Sequence, residues 1–161
     1  MNTPDRWKRL AGFLKTYPWL VRLAFPIRQR LLPRYTVGVT GIILNDQRQV
    51  LLVEHVFHPM VPWGMPGGGL DTREDPRDGL LRELREELQL TAEIIAPVWV
   101  EYTTWMHLDI TFLCRATSDI GALSFELTAA RYFDLDALPD LTDYQFRALT
   151  HLHSHPDIET H

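Results

Sequence analysis

Cysteine is almost absent from this 161-residue chain: Cys114 stands alone, so no disulfide can form within it. Cys114 lies in the apolar run Ile110-Thr-Phe-Leu-Cys-Arg and reads as a buried structural thiol. A reactive thiol needs an electropositive, partly exposed setting that this run lacks. Long hydrophobic runs are missing too, which excludes a helix that spans a bilayer. Lys15 and Arg22 interrupt the apolar residues near the start and no A-x-A-like cleavage site follows. No secretory signal is therefore expected, and the cytoplasm is the expected compartment. No internal repeat or low-complexity tract is visible.

Acidic residues are scarce in the first 34 positions. That stretch carries eight Lys/Arg against Asp5 alone, a net +7, while the remainder carries eight against twenty acids, a net −12. The break falls at Pro33 and predicts two parts: a basic amphipathic helical arm over 1–34 and a larger acidic domain over 35–161. A chain of this length, 45% hydrophobic, can bury one real core.

In the arm, Trp7, Leu10, Phe13, Leu14 and Tyr17 recur at helical spacing, and Pro18 and Pro26 divide it into at least two pieces. Packing on the acidic domain or on a second subunit is the favoured reading, which leaves a homodimer open. Contact with a membrane surface through residues 1–34 is the less favoured alternative. No long nucleic acid is expected as a partner, because the acidic remainder would repel phosphates.

Beyond the arm, 35–44 is rich in Val, Ile and Thr and reads as a strand. Polar turn material at 45–49 and a second strand at 50–55 suggest a hairpin. Residues 55–66 read as an irregular loop, and Gly67-Gly68-Gly69 as a turn. A helix is predicted over 75–88, with Asp75 as N-cap, Pro76 at the first helical position and Leu80, Leu81, Leu84 and Leu88 on the apolar face. Gly79 within it is expected to let the helix approach a sheet. Strands follow at 94–99, 101–105, 108–117 and 130–135, and a closing helix at 142–153. Helices flanking a mixed sheet predict an α+β fold, a mixed α/β/α sandwich.

The chemistry concentrates in that first helix of the domain. Glu83, Glu86 and Glu87 stand at i, i+3 and i+4, so three carboxylates share one face. Their repulsion serves no structural purpose and a divalent cation would relieve it. Mg²⁺ and Mn²⁺ select such hard oxygen ligands. The competing reading is a solvated acidic face paired with Arg82 and Arg85.

The surrounding pattern shifts that balance. Gly68, five residues, Glu74, seven residues, then Arg82-Glu83-Leu84-Arg85-Glu86-Glu87-Leu88-Gln89-Leu90 resembles the signature of the Nudix hydrolases. Every fixed position matches except the last glycine, which is Gln89 here. The resemblance runs from about Tyr35 to about Leu152 and leaves the arm outside.

The resemblance implies the family fold and a Mg²⁺- or Mn²⁺-dependent hydrolase that cleaves the diphosphate linkage of a nucleoside diphosphate joined to another moiety. It implies that Glu83, Glu86 and Glu87 and the carbonyl of Gly67 hold metal, that Glu83 is the candidate base, and that Arg82 and Glu74 orient the catalytic helix. Glu126 matches, more loosely, a further metal-binding or base glutamate. Two departures stand out. A glycine at position 89 would take a left-handed conformation, so glutamine there implies strain or a different turn. Arg73 adds a charge beside the site that could contact substrate phosphate.

Phe57, Trp63, Tyr102 and Trp105 are candidates to stack on a base, with core packing the alternative for each. His55 and His58 read as surface-loop histidines, with phosphate contact the alternative. The C-terminal His151, His153, His155 and His161 read as adventitious metal binders or as inert. A non-catalytic nucleotide- or metabolite-binding module on the same fold is the alternative function. Retention of the three glutamates weighs against it. An enzyme acting on capped or triphosphorylated RNA ends is a third.

Overall fold

A computed structural model describes residues 3–17, 19, 22, 34–104 and 106–154. The candidate Trp105, Pro18 and Pro26 of the arm, His155 and His161 lie outside the described residues. The chain divides into two units, Met1–Arg34 and Tyr35–His161. In the first, α1 covers Thr3–Thr16, with the rings of Phe13 and Tyr17 one turn apart, tilted at 49° with centroids 4.9 Å apart. No helix among the described residues is long and apolar enough to cross a membrane.

The second unit contains two sheets. β1 (Thr36–Ile43), β4 (Gly67–Gly69), β5 (Ala92–Thr104) and β6 (His107–Ala116) form a mixed sheet in the order β4-β1-β6-β5. β2 (Val50–His55), β3 (Trp63–Gly64) and β7 (Leu127–Phe133) form a second, in the order β3-β2-β7. α2 (Pro76–Leu88) and α3 (Asp143–Ser154) complete the unit.

Alternation along the strands explains the layering. Val39 and Ile43 of β1 and Leu51 and Val53 of β2 join Leu80, Leu84 and Leu88 of α2 in one buried cluster. Ile42 of β1 and Val50 and Leu52 of β2 join Tyr144, Ala148, Leu149 and Leu152 of α3 in another. The fold is therefore an α/β/α sandwich, with strands buried on both faces. On the α3 side the hydroxyls of Thr40, Thr111 and Tyr144 bond to one another at 2.6–3.0 Å. Three buried polar groups thus satisfy one another, and burial pushes the Tyr144 phenol up to about 12.

Four expectations need correction. β1 and β2 do not form a hairpin: β1 is bonded on both edges, to β4 and β6, and β2 to β3 and β7, so among the described residues the chain pairs across the 45–49 turn through the isolated bridge Leu44–Val50 alone. Gly67–Gly69 is not a free turn but a strand antiparallel to β1, with Val39 opposite Gly68. The strands expected at 94–99 and 101–105 are one, β5, whose register slips three times along β6. As an edge strand it tolerates Pro97. Finally, Gly79 makes room for the loop before the helix rather than for a sheet, since a Cβ there would stand 2.3 Å from Leu70 Cδ2.

Candidate active site

α2 starts as its sequence dictates. The Asp75 side chain accepts the Arg77 N–H at 2.9 Å and Pro76 occupies the first turn, where no N–H is needed. Its end is held by the loop over 117–126. The N–H groups of Gly121 and Ser124 donate to the carbonyls of Leu88 and Glu87, each at 2.8 Å. Gln89 adopts the left-handed conformation (φ 49°, ψ 31°), and the Leu90 N–H closes back on the Leu84 carbonyl at 3.1 Å. With the Gln89 N–H on the Arg85 carbonyl at 3.0 Å, the helix therefore ends in a left-handed cap of the αL kind although glycine is missing. The Gln89 side chain accepts the Ala122 N–H at 3.3 Å, a contact glycine could not make.

Arg82 organises the acidic residues. Its Nε and Nη2 donate to the two carboxylate oxygens of Glu74, each at 2.9 Å, and Nη2 also reaches the Gly69 carbonyl at 3.1 Å. Nη1 donates to Glu83 at 2.7 Å and to Glu86 at 3.2 Å. These bonds hold Glu74 down to about 2, with the Asp71 N–H adding to the effect. They raise the Arg82 guanidinium above its ordinary value.

Glu87 differs from its neighbours. It is 7% exposed, and its carboxylate accepts the Gly67 N–H at 3.1 Å. Burial pushes it up to about 7 against the effect of that bond, and the charges of Glu83 and Glu126 push in the same direction as burial. Glu126 therefore lies within electrostatic reach of Glu87. Gly68 faces Glu83 so closely that a Cβ would fall 2.5–2.8 Å from its carboxyl atoms. Gly67, at φ 145°, lies against β1, where a Cβ would fall 2.1 Å from the Val39 carbonyl oxygen.

The three helix glutamates thus share one region, but they do not form a ready cage. Among the described residues no three carboxylate, imidazole or thiol groups stand at metal-binding spacing. The convergence expected from i, i+3, i+4 spacing is incomplete because Arg82 engages Glu83 and Glu86 while Glu87 is turned onto Gly67. The donor set itself suits a hard divalent cation. Arg82 bonds one carboxylate oxygen each of Glu83 and Glu86, so the other oxygen of each can meet a cation with the Arg82 bonds in place.

A cavity of about 390 Å³ opens between the end of β2, the loop that follows it, β3 and the start of α3, lined by His55, Phe57, His58, Met60, Trp63 and Gln145 among others. It unites two of the four stacking candidates, Phe57 and Trp63. Trp63 packs edge-on against Phe133 at 4.9 Å, with the Arg131 guanidinium 5.8 Å from its ring centroid. Tyr102 is elsewhere, against Tyr35 at 6.0 Å and bonded to the Met106 N–H at 2.7 Å. Arg73 is exposed at φ 69° in the turn before α2. Sequence reasoning missed Gln145, whose Oε1 is buried with no hydrogen-bond partner among the described residues and whose amide packs against Gly64, where a Cβ would fall 2.9 Å from its Nε2. No local pattern marks it.

Comparison with known proteins decides the family. The NUDIX domain model matches residues 34–152. The chain belongs to the Nudix hydrolase family. Among curated relatives, an RNA pyrophosphohydrolase of Cereibacter sphaeroides is 36% identical over 74 residues, which cover 43% of this chain and 44% of that protein. The chain thus aligns with under half the length of the first curated relatives it matches. Among solved structures, a MutT Nudix hydrolase from Burkholderia pseudomallei is 26% identical with a TM-score of 0.67, covering 74% of this chain and 98% of that one. An ADP-ribose pyrophosphatase from Streptococcus suis has a TM-score of 0.62 at 24% identity over 76% of this chain and 92% of its own, a likeness of fold. The Nudix segment thus contains both sheets, α2 and nearly all of α3.

Proposed function

We propose that this chain is a Nudix pyrophosphohydrolase that cleaves the diphosphate linkage of a nucleoside diphosphate derivative with the help of Mg²⁺ or Mn²⁺. The observation that carries the reading is the Arg82–Glu74 two-point bond, which fixes a helix face bearing Glu83, Glu86 and a buried Glu87. Glu83, Glu86, Glu87 and the Gly67 carbonyl are the proposed metal ligands, with Glu126 as a further one. When bound, the cation would neutralise phosphate charge and lower the pKa of water. The chain's own part is to orient the linkage and accept a proton. Glu83, held against Gly68, is the proposed base, and Glu126 is the alternative. Phe57 and Trp63 are proposed to hold the organic group in the cavity, and Arg73 to meet a phosphate from outside. Trp105 remains a candidate by sequence. Such catalysis is electrostatic and positional.

A second substrate reading, triphosphorylated RNA ends, is favoured by the names of the first curated relatives. The net −12 of residues 35–161 opposes it for long RNA. The test is product release from nucleoside diphosphate sugars, dinucleoside polyphosphates, nucleoside triphosphates and a 5′-triphosphorylated oligonucleotide, each with and without Mg²⁺. Turnover of the small derivatives supports the first reading, and selective turnover of the oligonucleotide supports the second. Inactivity on every substrate, with binding retained, would indicate a binding module.

A further inference from the structure

We propose that His55 and His58 form a phosphate-binding step between the acidic face of α2 and the aromatic cavity, and that they contact the substrate phosphate farther from the glutamates. The inference rests on the hydrolase reading, in which one end of the substrate meets Glu83, Glu86 and Glu87 and the other enters the cavity.

The backbone fixes where that path runs. The Ser124 N–H donates to the Glu87 carbonyl at 2.8 Å, and the Glu126 carbonyl accepts the Val56 N–H at 2.9 Å. Three residues, 124–126, therefore tie the end of α2 to the end of β2. His55 sits at that junction, where the β2–β7 register slips, opposite Leu127 and with its own N–H on the Pro62 carbonyl at 2.8 Å. Its half-buried ring stands edge-on to the His58 ring at 5.1 Å, and both line the cavity beside Phe57 and Trp63. Glu126 interacts electrostatically with His55 on one side and Glu87 on the other. The 124–126 segment thus joins the end of α2 to the strand end that carries His55 into the cavity wall.

The supply of donors points the same way. Among the described residues that line the cavity there is no Lys or Arg, and the Arg131 guanidinium lies against the ring of Trp63. The guanidinium of Arg82 already bonds Glu74, Glu83, Glu86 and the Gly69 carbonyl. A neutral imidazole still offers one N–H, which is what a phosphate oxygen needs. The pair therefore supplies N–H donors for a phosphate at the cavity wall.

Calorimetric titration of the full chain with the four common nucleoside diphosphates and their nucleosides, with Mg²⁺ present, tests the inference. His58→Ala is exposed and least able to disturb folding; His55→Ala and His55→Gln complete the set. The expected result is a roughly tenfold weaker Kd for the best-bound diphosphate in each alanine variant, the effect of one lost hydrogen bond. Affinity for the nucleoside should be unchanged, and His55→Gln, which keeps an N–H, should recover part of the loss. Equal weakening of nucleoside and diphosphate, no weakening of either, or a wild type that binds no diphosphate would overturn it. Binding is read without turnover. A chain that hydrolyses nothing but still discriminates phosphate through His58 would defeat the hydrolase reading and leave the subsite standing.

Discussion

Arg82 meets Glu74 through two parallel bonds, Nε and Nη2 each 2.9 Å from a carboxylate oxygen, across the first turns of α2. A fork of this kind fixes direction as well as distance. Glu74→Gln and Arg82→Lys should each lower turnover by roughly 10² while leaving the fold intact, and the double variant should cost little more than either alone, because both break one unit. Additive losses in kcat would contradict the pairing. The pH response follows from Glu74 being held down to about 2 from an ordinary 4.5. Its contribution to stability is present above pH 4.5 and fades as pH falls toward 2. Acid unfolding of Glu74→Gln should lack that component.

Gly67 and Gly68 are adjacent but should fail differently. Alanine at 68 brings a Cβ against the end of the Glu83 side chain, which can move, so the protein should fold and lose activity by about 10²-fold or more. Alanine at 67 meets the Val39 backbone at φ 145°, so stability should fall first. Thermal melts alongside kcat separate the two; the reverse order would contradict the stated contacts.

Glu87 predicts a pH dependence of opposite sign to Glu74. Burial pushes its carboxyl up to about 7, so in metal-free protein the folded state holds a proton that the unfolded state has lost. Stability should therefore decline as pH rises from about 4.5 through 7. Glu87→Gln should flatten that decline, measured by denaturant unfolding in EDTA. Parallel curves for the two proteins would contradict it.

Gln89 holds the left-handed turn that glycine usually provides. Gln89→Gly should change stability by no more than about 1 kcal/mol, since relief of backbone strain offsets the lost bond to Ala122. Gln89→Val, branched at a φ of 49°, should destabilise by more and lower activity as the helix end shifts. Denaturation midpoints check both; equal stability for the valine variant would contradict it.

What could be read from the sequence was what is local. Asp75-Pro76, the leucine spacing and the glutamate cluster lie within one helix, and the structure has that helix at 76–88. The Glu74–Arg82 bond was legible only through resemblance, because nothing in an eight-residue separation fixes which partner a guanidinium selects. Strand partners were illegible for a stronger reason. The 45–49 turn is compatible with a hairpin, and only the competition of β4 and β6 for both edges of β1 excludes one. The cavity joins residues 55–64 to Thr142 and Gln145, some eighty positions apart, so Gln145 carried no sign of its place.

The central claim is that the carboxylates of α2 drive a metal-dependent cleavage of a diphosphate linkage. The direct measurement is the rate of nucleotide release from the best nucleoside diphosphate derivative as Mg²⁺ or Mn²⁺ is titrated, for wild type, Glu83→Gln and Glu87→Gln. The account predicts saturable metal activation in the wild type and rates lower by about 10² or more in both variants, with the proteins still folded. Metal-independent release, or variants as active as the wild type, would contradict it.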